Sequence, residues 1–393
     1  MHLVLVTAFP PSLGSLNEYG AHLARVMAAK PEVTRLTVLA DELPDPALSR
    51  HDPQHVRRVW RFNDPGNALR IAAALRDLKP DAVLYNLQFA SFGDRKVPAA
   101  LGLLAPLVTR LGGTPTVTLL HNIFETVDLE KAGFGSNVAV NLVTRAAGRV
   151  FTRVLMGSHL LALTMPRYVE TLRDAYGARN VFLAPHGSFQ EPEPAAPLPE
   201  RRTVMTFGKF GTYKRVEVLL DAHRLLLQRD PDVRLVIAGS DSPNAKGYLA
   251  AVQERHRDVP NVTFTGYVAE EDVPRVFREC SVVAFPYNST TGSSGVLHQA
   301  GEYARAAVMP RIGDLADLIE EEGYRAEFFE PEDAASLAEA LWRVIETPGR
   351  ARDLGLANLN AARGLSLSDV ADWYLLQFQR LSAPRGVALG GSA

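Results

Sequence analysis

The sequence contains almost no cysteine and no long run of apolar residues. Cys280 is the only cysteine among 393 residues, so no internal disulfide forms, and such usage suits a reducing compartment. No apolar run reaches the roughly 18 residues that a membrane-spanning helix needs. The first residues also lack the basic flank and the small-residue cleavage site of a secretory signal peptide. These absences predict a cytoplasmic protein.

Several signatures of cofactor and metal chemistry are missing as well. There is no His-Glu-x-x-His, no cysteine pair and no acidic spacing typical of a hard-metal loop, so we expect no protein-held metal. No Gly-x-Gly-x-x-Gly follows the first apolar run, which weakens a nicotinamide or flavin interpretation. The P-loop and Gly-x-Ser-x-Gly patterns are also absent. We therefore expect no resident cofactor.

The overall charge is close to balanced, but the two halves differ. With 42 basic and 44 acidic residues the net charge is −2, which removes any whole-chain argument for nucleic-acid binding. Residues 1–185 hold 20 basic and 15 acidic residues, against 22 and 29 in the remainder. Two interpretations stay open: the basic half favours an anionic acceptor or peripheral contact with the inner membrane surface, or the charge is unpatterned.

Length and hydrophobic pattern together predict a two-domain α/β protein. A chain of 393 residues exceeds the size at which one core usually stops growing. Short apolar runs alternate with stretches of helical period, which indicates stacked βαβ units and mostly parallel sheets. The pattern predicts six strands in each half, with helices that include Val138–Leu155 and Pro166–Tyr176. The fold class is therefore two Rossmann-like domains.

A proline-rich segment marks the domain boundary. Four prolines fall within Gln190–Glu200, and they fit neither a helix nor a central strand. Because ligands of open α/β sheets bind at the carboxyl ends of the strands, we expect the site in a cleft where the two domains face each other. The predicted organisation is a first domain over 1–188, a linker over 189–201, a second domain over 202–365, a helix over 366–381 packing back on the first domain, and a flexible tail over 382–393.

The most informative segment is a Ser/Thr/Gly-rich loop that follows an apolar strand and opens a helix. Gly292 and Gly295 allow close backbone approach to a ligand, and Ser293 or Ser294 is predicted to cap the helix. The unpaired N–H groups of the first turn would attract an anion such as phosphate. An ordinary capped helix without a ligand is the alternative.

A second strand-to-helix turn carries two lysines. In Phe207–Arg215, two glycines accompany Lys209 and Lys214, which are placed to bracket a diphosphate and stabilise it as a leaving group. A solvated basic loop is the alternative.

In the first half, a turn centred on Gly14 and Ser15 follows the first strand, and His121 ends an apolar strand. That histidine is placed to hydrogen-bond a sugar hydroxyl or share a proton, although a structural histidine explains it equally well.

These motifs in this order resemble the retaining GT-B glycosyltransferases, most closely glycosyltransferase family 4 (glycosyl transferases group 1). The resemblance spans nearly the whole chain and implies a nucleoside diphosphate sugar as donor. It assigns Lys209 and Lys214 to the diphosphate clamp, with Lys209 replacing the usual arginine, and His121 to the donor sugar. The remaining donor-binding residues that it implies are Gly14, Ser15, Gly239, Tyr267, Thr291, Gly292, Ser293, Ser294, Gly295, Val296 and Gln299.

The sequence departs from the family pattern at two of these positions. Thr291 and Gln299 stand where the family has two glutamates that hold hydroxyls of the donor sugar and of the ribose. Both replacements keep a hydrogen-bond acceptor, so donor binding without those charges is still expected.

The resemblance implies metal-independent transfer of a hexose to a hydroxyl of a glycan, lipid or small-molecule acceptor. A GT-B phosphorylase or epimerase, and a nucleotide-sugar-binding protein without turnover, stay open as alternatives. Acceptor contacts are expected from loops around Ser91–Lys96 and Phe124–Asn137. Phe134 and the Val138–Leu155 helix either touch a lipid acceptor or pack against the sheet.

Overall fold

The computed structural model describes residues 1–12, 14, 16–126, 138–190, 192–242, 245–289 and 292–383; for 126, 138–145 and 147 it describes the backbone only. The chain forms two compact units. Unit 1 comprises Met1–His186 together with the segment from Leu367 onward, and unit 2 comprises Gly187–Ser366.

Unit 1 is built on a seven-stranded parallel sheet with the order β3-β2-β1-β4-β5-β6-β7. Its strands are β1 (His2–Val6), β2 (Arg35–Asp41), β3 (Val56–Trp60), β4 (Ala82–Leu87), β5 (Thr116–Leu120), β6 (Leu160–Leu163) and β7 (Val181–Leu183). Its helices are α1 (Asn17–Ala28), α2 (Asn67–Leu78), α3 (Lys96–Gly102), α4 (Ala105–Leu111), α5 (Val138–Leu155), α6 (Pro166–Tyr176) and α14 (Leu367–Ser382).

The sequence explains these elements locally. Every residue of β4 is buried, as expected for a central parallel strand covered on both faces, and such strands are continuous apolar runs. Helix α6 begins with Pro166 in its first turn and ends at Gly177, whose φ of 62° is the left-handed conformation that glycine adopts without strain. Both boundaries of this helix agree with the prediction.

Unit 2 is built on a six-stranded parallel sheet with the order β10-β9-β8-β11-β12-β13. Its strands are β8 (Thr203–Phe210), β9 (Arg234–Asp241), β10 (Val262–Gly266), β11 (Val282–Ala284), β12 (Ala306–Pro310) and β13 (Ala326–Phe329). Its helices are α7 (Glu217–Leu227), α8 (Tyr248–Arg255), α9 (Val273–Arg278), α10 (Gly295–Glu302), α11 (Gly313–Glu322), α12 (Ala334–Ile345) and α13 (Pro348–Arg363).

The strand order of unit 2 reverses direction between β8 and β11. From β8 the chain proceeds outward to β9 and β10, and from β11 it proceeds to β12 and β13 on the other side. In open α/β sheets, ligands bind at this switch point, outside the carboxyl ends of the two strands. The loops that follow β8 and β11 are therefore where a ligand site is expected.

The predicted linker packs on unit 2. Arg305 is fully buried, and its guanidinium donates to the carbonyl oxygens of Phe277 at 2.7 Å and Arg278 at 2.9 Å. The same side chain reaches the carbonyl oxygens of Ala196 and Pro197 at 3.5 Å. The structure therefore divides the chain at His186–Gly187 and again at Ser366–Leu367, and it assigns the described part of 189–201 to unit 2.

Each half of the chain forms the predicted parallel α/β sheet. Unit 1 contains one strand beyond the six predicted, β3, at the edge of the sheet. Within the described residues, no helix is long and apolar enough to span a bilayer.

Candidate functional site

Two glycines face each other at the carboxyl ends of β8 and β9. Gly208 and Gly239 are register partners, with φ angles of 132° and 137° that side-chain-bearing residues rarely adopt. A Cβ atom at Gly239 would lie 1.9 Å from the carbonyl oxygen of Gly208. The glycines therefore let two main chains pass closely.

The turn after β8 is fastened to the segment after β11 by backbone hydrogen bonds. The Arg215 N–H donates to the Pro286 carbonyl oxygen at 3.0 Å, and the Asn288 N–H donates to that of Tyr213 at 3.0 Å. Lys214 and Tyr287 form an isolated antiparallel bridge between them. The two loops that flank the switch point are thus held together as one piece.

This arrangement brings the ammonium group of Lys214 back over β8. Its Nζ lies 4.9 Å from the centroid of the Tyr287 ring, within range of a cation–π interaction. A Cβ atom at Gly208 would lie only 2.9 Å from the same nitrogen. Lys209, half-buried, follows Gly208 directly along β8. The structure therefore places the Lys214 charge beside the Gly208–Lys209 backbone at the switch point.

The glycine-rich loop enters α10 in a way that differs from the predicted cap. Ser294 occupies the N-cap position with extended backbone, but its side chain makes no capping hydrogen bond. The N–H groups of a first helical turn have no acceptor within the helix, so those of Gly295 and Val296 are suited to binding an anion. Thr291 lies outside the described residues.

The Gly292 amide, which we predicted as a phosphate ligand, has an acceptor inside the protein. It donates to Oδ2 of Asp314 at 2.8 Å, and Asp314 is a buried residue in the first turn of α11. Gly292 has a φ of 82°, so glycine is the residue that permits this turn. This hydrogen bond fastens the glycine-rich loop to the first turn of α11.

Ser293 is also engaged, by a buried polar cluster under the loop. The Nε2 atom of His298 lies 3.0 Å from Ser293 Oγ, and its Nδ1 atom lies 2.8 Å from the Tyr324 hydroxyl. Glu322 approaches that Nδ1 atom at 3.6 Å, and burial raises the pKa of its carboxyl to about 8. Ser293 is therefore not the helix cap, because its hydroxyl is paired with this imidazole.

The other predicted donor-binding residues of unit 2 are spread along the same carboxyl edge. Gln299 is buried on α10, one turn from the helix start. Tyr267 follows β10, the edge strand, and is 62% exposed. The structure places Lys209 and Gly239 on the adjoining strands β8 and β9, with the Lys214 ammonium group beside them, whereas Tyr267 follows the edge strand β10.

In unit 1, His121 follows β5 and is almost fully buried. Its Nε2 atom lies 2.6 Å from Oδ1 of Asn86, and the Tyr19 ring meets it edge-on with centroids 4.6 Å apart. Burial, together with the nearby His186, holds the pKa of His121 well below its usual value. The imidazole is therefore neutral at physiological pH.

The turn after β1 is fixed by Asp41 at the end of β2. The Gly14 N–H donates to Ser12 Oγ at 3.0 Å, and the Ser12 hydroxyl in turn donates to the Asp41 carboxylate. Burial raises the pKa of Asp41. Ser15, the other predicted residue of this turn, lies outside the described residues.

Comparison with known proteins connects this geometry to a family. Residues 201–347, which contain the strands and loops of the switch point, match the family model described as Glycosyl transferases group 1. The chain is 31% identical over 147 residues to the O-antigen chain mannosyltransferase C of Escherichia coli, covering 36% of this chain and 38% of that protein. It is 27% identical over 140 residues to the mannosylfructose-phosphate synthase of Agrobacterium fabrum, covering 31% of each.

Similar solved structures extend the likeness of fold to both units. Sucrose-phosphate synthase from Thermosynechococcus elongatus superposes with a TM-score of 0.73 at 16% identity, covering 97% of this chain and 99% of that one. HepE of Anabaena, solved with UDP and glucose, gives a TM-score of 0.68 at 16% identity, covering 97% and 100%. The fold is therefore that of the GT-B glycosyltransferases. The sequence matches to curated relatives span about a third to a half of those proteins' lengths.

Proposed function

We propose that this chain, whose residues 201–347 match the glycosyl transferases group 1 family, is a retaining glycosyltransferase of family 4. It moves a hexose from a nucleoside diphosphate sugar to a hydroxyl of a glycan, lipid or small-molecule acceptor. The observation that carries the proposal is Lys214, whose ammonium group folds back onto Gly208 at the switch point of that domain.

The proposed diphosphate site uses groups of three kinds. Lys214 and Lys209 supply positive charge at the end of β8, and the first N–H groups of α10 supply fixed dipoles. Gly208 and Gly239 let the two main chains and the Lys214 ammonium group lie close together at this point. Together these groups bind a diphosphate and stabilise the charge that grows on it as it leaves. In this proposal the lysines provide the neutralising charge, without a protein-held metal.

No carboxylate nucleophile is assigned at the site, so a front-face route is proposed. The departing phosphate takes the proton of the acceptor hydroxyl while the sugar–acceptor bond forms on the same face, which retains the anomeric configuration. His121 is assigned to the donor sugar by the family resemblance. Because its pKa is held low, it serves as a neutral hydrogen-bond partner.

The relatives suggest which donors to test first. A similar fold is solved with UDP and glucose, and a sequence relative of the donor half is named a mannosyltransferase. UDP-glucose and GDP-mannose are therefore the first candidates, with ADP-glucose as a third base. Membrane contact through the basic first half stays a part of the proposal that vesicle binding would test.

Binding experiments test the proposed site directly. Thermal shift and calorimetry with UDP, GDP, ADP and their sugars should identify one preferred base. Lys214→Ala and Lys209→Ala should each raise the Kd for that nucleotide about 10- to 100-fold, since each removes a charged hydrogen bond. Lys246→Ala, at an exposed lysine of the same unit, is the matched control and should leave the Kd unchanged.

Turnover then separates the enzyme from a binding protein. Thr291 and Gln299, in place of two family glutamates, favour the second candidate, a nucleotide-sugar-binding protein. Release of nucleoside diphosphate across an acceptor panel, with a product of retained anomeric configuration by NMR, supports the transferase. Tight nucleotide-sugar binding without transfer or hydrolysis would leave only the binding protein. If Lys214→Ala leaves the Kd for the nucleotide unchanged, the proposed diphosphate site is wrong.

A further inference from the structure

A chain of buried hydrogen bonds in unit 1 determines which nitrogen of His121 carries its hydrogen. The Thr7 hydroxyl donates to the Ala8 carbonyl oxygen at 3.0 Å, so its Oγ1 atom is left as an acceptor. The amide Nδ2 of Asn86 donates to that Oγ1 atom at 2.9 Å. This bond turns the carbonyl Oδ1 of Asn86 toward His121.

The tautomer of His121 follows from this orientation. An amide oxygen only accepts hydrogen bonds, and it lies 2.6 Å from Nε2 of His121. Nε2 must therefore carry the hydrogen. In a neutral imidazole the other ring nitrogen, Nδ1, then holds only a lone pair.

The surroundings keep the ring in this state. Thr7, Asn86 and His121 are all buried, at 1%, 1% and 8% exposure. Among the described residues, the titratable groups whose rings contact His121 are Tyr19 and His186, and neither carries a carboxylate that would favour the imidazolium ion. Asn86 is the next-to-last residue of β4, paired in parallel with β5, and the His121 N–H donates to the Leu87 carbonyl oxygen. The sheet itself thus fixes the pair.

We propose that Asn86 is a positioning residue that holds His121 as the Nε2–H tautomer, so that Nδ1 accepts a hydrogen bond from a sugar hydroxyl of the substrate. This inference rests on the proposed glycosyltransferase function. It assigns His121 the role of recognising a neutral hydroxyl. His121 cannot act as a general acid, because its single N–H group donates its hydrogen bond to Asn86. Asn86 and Thr7 are then needed for substrate orientation although neither touches the substrate.

The tautomer can be measured without any activity. In protein labelled with nitrogen-15 at histidine, long-range proton–nitrogen spectra distinguish the two tautomers, and His121→Gln identifies the signal. We expect the Nε2–H form in the wild type at pH 7. Asn86→Leu should abolish that preference, whereas Asn67→Asp, a change at another buried asparagine of unit 1, should preserve it. A wild-type protein in the Nδ1–H form would overturn the proposal.

The pH profile of transfer tests the functional part. Asn86→Asp keeps the shape but introduces a carboxylate next to Nε2, which stabilises the imidazolium ion and makes Nδ1 a donor. Its kcat/KM should fall progressively below the wild-type value as pH decreases and recover at high pH. Asn86→Leu should lose roughly tenfold in kcat/KM at every pH. Asn67→Asp should follow the wild-type profile.

The two ways of failing are distinguishable. If the wild type binds and turns over no nucleotide sugar, the proposed function is wrong, and the tautomer spectra still report on Asn86. If the wild type is active but Asn86→Asp and Asn67→Asp give the same pH profile, the positioning role is wrong. Thermal unfolding of each variant shows whether a loss comes from misfolding.

Discussion

At the scale of single residues, the candidate site depends on glycines whose positive φ angles other residues rarely adopt. Gly239 is constrained twice, by a φ of 137° and by the Gly208 carbonyl oxygen, which would lie 1.9 Å from any Cβ atom. Gly247 in the same unit also has a positive φ, 82°, but nothing lies within 4 Å of its Cβ position. Substitution at Gly247 therefore tests backbone strain alone, whereas substitution at Gly239 tests backbone strain together with a steric clash.

This difference predicts unequal costs of the same substitution. Gly247→Ala should lower the free energy of unfolding by about 1–2 kcal/mol, the cost of the left-handed conformation. Gly239→Ala should lower it by about 3 kcal/mol or more, because the ends of β8 and β9 must also separate. Urea unfolding of both variants measures the two values. Equal losses would mean that the close contact of the two main chains is not maintained in solution.

Sequence patterns named residues of the candidate site but not the hydrogen-bond partners that the structure gives them. Lys209, Lys214 and the glycine-rich loop were named from strand-to-helix turns, and Gly239 was named from the family resemblance. The bonds of Gly292 to Asp314 and of His121 to Asn86 were not, because their partners lie 22 and 35 positions away in the chain. Such pairs come together only when the chain folds, so no local sequence pattern predicts them. Ser294 does occupy the N-cap position of α10, but its side chain makes no capping hydrogen bond.

At the scale of elements, most strands and helices could be predicted because they are short apolar runs or have a clear helical period. Strand β3 was missed: its sequence, Val-Arg-Arg-Val-Trp, holds two adjacent arginines, and Arg58 is kept in place by Asp52 and by carbonyl oxygens of Phe9 and Pro10. Helix α13 was missed because its glycines and asparagines weaken the periodic signal.

Helix α11 brings a carboxyl group into the buried cluster under the glycine-rich loop, and this has a consequence for stability. Below pH 4.5, Glu322 is protonated in both the folded and the unfolded chain. Between pH 4.5 and about 8 the unfolded chain releases that proton while the folded protein retains it. The free energy of unfolding therefore falls as pH rises through this window, by at most about 1.4 kcal/mol per pH unit.

Glu322→Gln should remove this pH dependence. The amide has no proton to lose, so the stability of the variant relative to the wild type should increase from pH 5 to pH 8. Glu320→Gln, at an exposed position of the same helix, is the control. Urea unfolding at several pH values gives both curves. A Glu322→Gln curve parallel to the wild type would show that the carboxyl ionises freely in the folded protein.

At the scale of the whole molecule, α14, the last described helix, belongs to unit 1. Helix α14 packs against α1, and Lys30 bonds Ser368 at 2.9 Å and Asp372 at 2.5 Å. Tyr374 and Phe378 are fully buried in unit 1. The amphipathic pattern of this segment predicted the helix.

Substitutions in α14 should therefore affect unit 1 first. Phe378→Ala should cost about 3–5 kcal/mol through the cavity it leaves. Hydrogen exchange should show the loss of protection in α1 and β5 rather than in Gly187–Ser366. Leu376→Ala, at a position 55% exposed, should change stability by less than about 0.5 kcal/mol. Loss of protection confined to unit 2 would contradict the assignment of α14.

The return of α14 has a consequence for biosynthesis. On the ribosome, α1 and β5 are made early, but the helix that covers them is made only after all of Gly187–Ser366. Vectorial synthesis usually lets the amino-terminal domain fold first. Here the inserted second unit is the first to have its complete sequence available. Until α14 has been translated, the surface of α1 and β5 that it covers stays exposed on the nascent chain.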